Sequence, residues 1–274
     1  MISVCTVTLN KLEPFTKIFC KSIVESTTVV NEVVIINAEM GESINTTWRE
    51  GKITFRMVGG RHDIFKVCSV TSMCAQHAHG LHQGVELAKN DYVLISDPDI
   101  FFYTNIDEFY LKLAHEHDLN FIGISRPDAL AQSIGYFPCI MNLFTKKEYL
   151  PTRRFLSDFD LGLLSDDNTY QDKIPDRYFY PDTPEKYKSL FPNPTGHYET
   201  GCNLLVWAKE KNYNWLSFQT PDCNTYYSKY YKSNFKPKGI PNKKLLYHTW
   251  LATLREERFL SFTEAYKNSV DQDC

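Results

Sequence analysis

No stretch of this sequence is long and apolar enough to span a bilayer. Its first apolar run, Ile2 to Leu9, is short, has no basic leader and passes straight into patterned sequence. That run reads as neither a signal peptide nor an anchor. No strand-like run is followed by G-x-G-x-x-G, which removes the main signature of a dinucleotide-dependent oxidoreductase. A glycine-rich basic loop is missing as well. The segment after the first run is Asn10-Lys11-Leu12-Glu13-Pro14, with no glycine to wrap a triphosphate, so a nucleotidyltransferase is the poorer reading. The eight cysteines, at 5, 20, 68, 74, 139, 202, 223 and 274, include no C-x-x-C pair and read as free, mostly buried thiols. Excess charge of one sign is also absent. With 30 basic and 33 acidic residues the formal net charge is -3, which excludes a nucleic-acid binder that works by neutralising many phosphates. A phosphate bound here needs local help from a metal ion or a few placed donors. No internal repeat and no clean linker interrupts the chain.

What is present is an ordinary core-building composition, 43% hydrophobic and 23% charged over 274 residues. This length suits one α/β domain with an elaborated second half. Residues 2–9 form a β-rich run, 13–26 a helix and 33–36 a second apolar run, which is a β-α-β opening. Apolar runs without alternation indicate strands buried on both faces, so the expected fold is a Rossmann-type, mostly parallel central sheet flanked by helices. A third strand is predicted at 53–58, ended by Gly59-Gly60. Over 72–89, Cys74, Ala78, Leu81, Val85 and Ala88 recur at helical spacing, with His77, His82 and Glu86 off that stripe. The strand 92–96 follows and runs directly into Asp97-Pro98-Asp99. Further elements are predicted at 105–117 (helix, capped by Asn105), 120–125 and 138–144 (strands), 202–211 (helix), 215–218 (strand) and 254–267 (helix). Residues 151–196 lose periodicity and read as a long functional loop.

Two aspartates one residue apart can offer oxygen ligands to Mg²⁺ or Mn²⁺. The pattern is cheap, since a chain this long yields about one by chance, and here it occurs at 97/99, 158/160 and 271/273. Position decides among them. Only Asp97 and Asp99 close an apolar strand, and the carboxyl edge of an open α/β sheet is where ligands bind. The plain alternative is that these aspartates cap the following turn.

The run from His77 through Gly84, Ala88 and Tyr92 to Asp97-Pro98-Asp99 resembles the core of GT-A glycosyltransferases. In that family a helix ending in G-x-x-x-A-x-x-x-Y feeds the strand before a metal-binding Asp-x-Asp. The resemblance is specific over about 25 residues, and the order of elements supports it from residue 2 to about residue 218. It implies a GT-A-like fold, with residues 1–104 as the nucleotide-sugar half and 105–274 as the acceptor half. A nucleoside-diphosphate sugar, a UDP-sugar first among them, is the implied donor and co-substrate, and a carbohydrate is the implied acceptor. Mn²⁺ or Mg²⁺ on Asp97 and Asp99 would neutralise the departing diphosphate. His248, within Tyr247-His248-Thr249-Trp250, resembles the late histidine that adds a metal ligand in this family. Asp97, His77 and His82 are the implied diphosphate contacts, although His82 stands where related sequences carry Asn. The i to i+3 spacing of His79 and His82 makes no zinc site.

Glu199, which opens a helix after the long loop, is the implied base of an inverting transfer; a helix-capping carboxylate is the alternative reading. Asp176 and Asp158 stand in reserve. Thr6 and Thr8 at the first strand's end, and Glu39 after the second, are placed by topology to meet the nucleotide, or else are ordinary loop polarity. Twelve of the 17 tyrosines lie after residue 150, with Trp207, Trp215 and Trp250, and offer flat faces to a sugar ring. The expectation is therefore metal-dependent sugar transfer to a glycan acceptor with Glu199 as base. The alternatives are a retaining enzyme of the same fold or a non-catalytic carbohydrate-binding protein on this scaffold. A cytoplasmic or soluble intracellular protein of bacterial or viral origin fits the missing leader and the unpaired thiols.

Overall fold

The first strand, β1 (Ile2–Thr8), is buried along its whole length, which its β-branched residues suit on both faces. A short 3-10 turn leads to α1 (Glu13–Ser26), where Pro14 occupies the first turn and needs no intrahelical donor. Strand β2 (Val30–Asn37) returns parallel to β1. Then come β3 (Asn45–Glu50), β4 (Ile53–Gly59), α2 (Met73–Leu87), β5 (Tyr92–Ser96), β6 (Ile100–Phe102) and α3 (Ile106–His117). The second half adds β7 (Phe121–Ile124), β8 (Cys139–Lys146), α4 (Cys202–Glu210), β9 (Trp215–Gln219), β10 (Thr225–Ser233), β11 (Lys244–His248) and α5 (Glu257–Val270). The computed structural model describes residues 1–41, 43–60, 73–125, 136–150, 202–221, 224–249 and 257–270.

All eleven strands join one mixed sheet in the order β3-β4-β2-β1-β5-β8-β7-β9-β10-β11-β6. The parallel block expected from the apolar runs is β4-β2-β1-β5, with Ile2 opposite Tyr92 and Cys5 opposite Ile95. Beyond it the ladder is antiparallel except at β7 and β9. Four strands, β3, β6, β10 and β11, have no counterpart in the sequence reading. β3 is an exposed edge that hides its pattern among polar residues, and β10 is rich in Tyr and Lys rather than in aliphatics.

Helices cover both faces. Phe19 and Ile23 of α1, with Phe109, Tyr110 and Leu113 of α3, pack with Val4, Ile35 and Phe144 on one side. On the other side, Leu81 and Val85 of α2 and Leu204, Leu205 and Ala208 of α4 pack with Cys5, Val34 and Ile95. Each Leu, Ile, Val or Phe among them taken fully out of water contributes about 1.5–3 kcal/mol. A third cluster joins Phe15 of α1, Phe101 of β6, and Phe262 and Tyr266 of α5. Cys5 and Cys20 are free buried thiols and Cys139 is a half-buried one. Among the described residues no helix is long and apolar enough to cross a membrane.

Asn105 does stand at the amino end of α3, but its side chain makes no capping hydrogen bond. The organising carboxylate there is Asp107, which is fully buried. Its Oδ2 accepts the backbone N–H groups of Thr28, Val29 and Val30 at 2.9, 2.7 and 3.0 Å, tying the α1–β2 turn to α3.

Candidate metal centre at the end of the fifth strand

Strand β5 ends because Pro98 has no N–H to continue a ladder. The last bond on that side is Asp97 N–H to the Met141 carbonyl, 2.8 Å. The chain then turns away and re-enters the sheet as β6, at the far end of the strand order, paired antiparallel with β11. That pairing brings the late histidine to the aspartates. His248 lies opposite Ile100, and the Thr249 N–H donates to the Asp99 carbonyl at 3.0 Å, so β11 ends beside the Asp97-Pro98-Asp99 turn.

Ligand atoms of Asp97, Asp99 and His248 all lie within 4.8 Å of one another. Among the described residues this is the only group of three or more His, Cys, Asp or Glu side chains so placed. His248 Nε2 stands 3.5 Å from Asp99 Oδ1, and His77 Nε2, from α2, stands 3.1 Å from Asp97 Oδ1. The His77 contact has ion-pair distance without hydrogen-bond geometry, and Asp97 Oδ1 is buried with no hydrogen-bond partner among the described residues. Asp99 is 8% exposed and His248 2%. Burial holds the Asp99 carboxyl above its ordinary range and the neighbouring Asp97 charge pushes it further, while His248 pulls the other way. Two carboxylates gathered where water is scarce, one with an oxygen lacking a hydrogen bond, form a poor resting arrangement by themselves. A divalent cation relieves both defects, and two carboxylates with an imidazole suit Mn²⁺ or Mg²⁺. The donor set therefore fits the metal.

Behind the turn the support is polar and buried. Tyr110 Oη donates to Asn142 Oδ1 at 2.9 Å, and Asn142 Nδ2 reaches Ser96 Oγ at 3.4 Å, beneath the strand end that carries Asp97. Asn142, Thr249 and Tyr110 escaped the sequence reading, because the β5–β8 register, the β6–β11 register and the packing of α3 respectively bring them to the turn. Thr249 sits next to His248 with its Oγ1 buried and without a hydrogen-bond partner among the described residues.

The remaining sequence-named residues are distributed as follows. Thr6 is fully buried in β1, one residue past the last β1–β5 pair, and its Oγ1 also has no hydrogen-bond partner among the described residues. Thr8 Oγ1 is taken up by Thr16 Oγ1 at 2.7 Å, and the Thr8 carbonyl accepts the Ala38 N–H. Glu39 accepts the Asn10 N–H, fastening the loop after β2 to the loop after β1. His82 pairs along α2 with Glu86, Nε2 to Oε1 at 3.0 Å. Glu199, Asp158, Asp160, Asp176 and Trp250 lie outside the described residues, as do Asp271 and Asp273.

No protein-family model and no curated protein matches the chain. Solved structures that resemble part of it include the galactosyltransferase LgtC in complex with donor and acceptor sugar analogues, at 15% identity over 53% of this chain and 58% of that one, TM-score 0.38. The mannosyltransferase PcManGT from Pyrobaculum calidifontis, in complex with GDP-Man and Mn²⁺, matches at 14% identity over 54% and 45%, TM-score 0.38. S. aureus TarS 1-349 in complex with UDP-GlcNAc matches at 13% identity over 48% and 37%, TM-score 0.35. The match thus spans about half of this chain and less than two thirds of each of these relatives. A partial trace shared at this level assigns no donor, metal or activity to the present chain.

Proposed function

We propose that this protein is a metal-dependent glycosyltransferase that moves a sugar from a nucleoside-diphosphate sugar, a UDP-sugar first among candidates, to a glycan acceptor. One observation carries the reading: Asp97, Asp99 and His248 converge within 4.8 Å at the carboxyl edge of the parallel strands, where an open α/β sheet takes its ligands. The resemblance of the His77–Asp99 run to the GT-A core agrees with it. Asp97, Asp99 and His248 would hold the cation, with His77 of α2 beside Asp97. When bound, that cation supplies positive charge against the diphosphate of the donor. Residues 1–104 form the donor half. The aromatic-rich 105–274 half receives the acceptor.

In the transfer, an acceptor hydroxyl oxygen attacks the anomeric carbon, the bond from that carbon to the diphosphate oxygen breaks, and its electron pair leaves with the diphosphate. Glu199 takes the hydroxyl proton, and attack from the face opposite the leaving group inverts the centre. The test is release of nucleoside diphosphate from a panel of nucleotide sugars with Mn²⁺, Mg²⁺ or chelator, for the native protein and Asp99→Ala. Metal-dependent release from one donor, lost in the variant, is the expected result. Neither binding nor release from any donor by the native protein sinks the proposal in favour of a carbohydrate-binding role.

A further inference from the structure

On a chain with a formal net charge of -3, the segment from Asn224 to Thr249 carries six lysines and no acidic residue. It folds as the β10–β11 hairpin. Lys229, Tyr230, Tyr231 and Lys232 are exposed in a row, and Lys236, Lys238 and Lys243 are exposed around the turn. Tyr230 and Tyr231, 40% and 38% exposed, are among the few large apolar side chains the described surface presents. None of the ion pairs among the described residues involves Lys229, Lys232, Lys236, Lys238 or Lys243.

The row is built rather than frayed. The β9–β10 register passes from Tyr227 opposite Gln219 to Tyr231 opposite Phe218, so Ser228, Lys229 and Tyr230 form a bulge. Ser228 is buried and pins that bulge across the hairpin. Its Oγ donates to the Pro241 carbonyl at 2.5 Å and accepts the Lys243 N–H at 2.6 Å. Bulges of this kind re-aim side chains, and here the ones aimed outward are a lysine and a tyrosine. The Lys229 ammonium lies 4.9 Å from the Tyr230 ring centre and 5.8 Å from that of Tyr227.

We infer that the β10–β11 hairpin is a docking surface for an anionic phospholipid bilayer. Charge complementarity selects a polyanion, and the ring geometry selects among polyanions. A single-stranded nucleic acid stacks its bases on open aromatic faces, whereas here the Lys229 ammonium already lies against one face of the Tyr230 ring and one of the Tyr227 ring. An amphipathic ring with its hydroxyl outward beside lysines that reach for phosphate is the arrangement that suits a headgroup layer. Strand β11 runs from Lys244 at the hairpin's turn to His248, about 13 Å along an extended chain, so a docked hairpin holds the metal centre near the membrane surface. The surface stands whether or not the reading of that centre does.

The experiment is co-sedimentation of the full chain with sucrose-loaded vesicles. One set is pure phosphatidylcholine and the other contains 30% phosphatidylglycerol, at 50 and 500 mM NaCl, for the native protein and Lys229→Gln/Lys232→Gln/Lys236→Gln. A lysine near an anionic surface is worth about fivefold in partitioning at low salt, so the triple variant is expected to bind about a hundredfold more weakly with an unchanged unfolding midpoint. Native binding should require phosphatidylglycerol and fall away at 500 mM NaCl. Absent or equal partitioning into the two vesicle types, or an unchanged variant, overturns the inference. So does tighter, lysine-dependent binding to a single-stranded oligonucleotide, which hands the surface to nucleic acid.

Discussion

At Asp99, function and stability pull against each other. Its carboxyl is held above the ordinary aspartate value of 3.8, first by burial, so the folded protein keeps that proton more tightly than the unfolded chain does. As pH rises through the window between the two values the unfolded state deprotonates first, and stability falls across that window. Metal-free protein at neutral pH therefore carries a penalty that is absent below the window. Asp99→Asn removes it: with chelator present, the variant is expected to unfold at a higher temperature than the native protein at pH 7.5, the two converging toward pH 4. The same substitution is expected to lower donor turnover at least about a hundredfold, because the site then lacks one ligand for a charge worth several kcal/mol in such transfers. A thermal melt series across pH with chelator, beside a turnover assay, reads both halves. Buried thiols give a second prediction at this scale. Burial, assisted by Glu50, pushes the Cys20 thiol up to about 12, and burial with Glu32 pushes Cys5 higher still. Neither forms thiolate at pH 9 while folded, so iodoacetamide should leave both unmodified in native protein and label both in guanidinium, as read by peptide mass spectrometry.

Among the elements, α2 shows how close packing sets what a helix residue can be. A methyl group at Gly80 would stand 2.6 Å from Val7 Cγ2, inside any real contact, whereas one at Gly84 would meet Cys5 and Ile36 at 3.4 and 3.6 Å. Gly80→Ala is expected to destabilise by about 1–3 kcal/mol through overpacking. Gly84→Ala should be neutral or stabilise by up to about 1 kcal/mol, the helix-propensity gain of alanine over glycine. Urea unfolding of the two variants checks the order, and equal destabilisation contradicts it. Asp107→Ala, by leaving three N–H groups without their shared acceptor, should cost about 2–4 kcal/mol by the same measurement. These elements also mark how far the sequence could be read. Apolar runs and helical spacing place β1, α1, β2, β4, α2, β5 and α3 because those segments bury whole faces. Gly84 was visible as part of a resemblance, yet the tighter contact belongs to Gly80, which no periodicity marks. Asp107 is invisible for the same reason, since its three partners come from another turn. β3 and β10 escaped because an exposed edge and a Tyr-Lys strand carry no hydrophobic alternation.

For the molecule as a whole, the centre depends on a closure that joins segments remote in sequence. The chain leaves the sheet at Asp97 and rejoins it at β6 beside β11, and α5 covers the far side of that pair through Phe262 and Tyr266 against Phe101, whose ring stacks on Tyr247 at 5.1 Å. Asp97 and Asp99 were legible at the end of an apolar strand, and His248 only through family resemblance, because the register that unites them is a tertiary property. A cation held across this seam binds the folded chain and not the unfolded one, in which the ligands are scattered, so it must stabilise by mass action. At a concentration about a hundredfold above its dissociation constant the gain is about 2.7 kcal/mol, which for a chain of this size raises the unfolding midpoint by about 5–10 °C. Mn²⁺ is expected to produce that rise in the native protein. In His248→Ala the rise should shrink, the two aspartates being left to hold the ion, and in Asp97→Ala/Asp99→Ala it should vanish. Differential scanning calorimetry with Mn²⁺ titrated into each chelator-stripped protein makes the comparison. A shift that survives loss of both aspartates puts the cation elsewhere. A shift abolished by the aspartate pair but untouched by His248→Ala removes the histidine from the ligand set and leaves the β6–β11 closure a purely structural one.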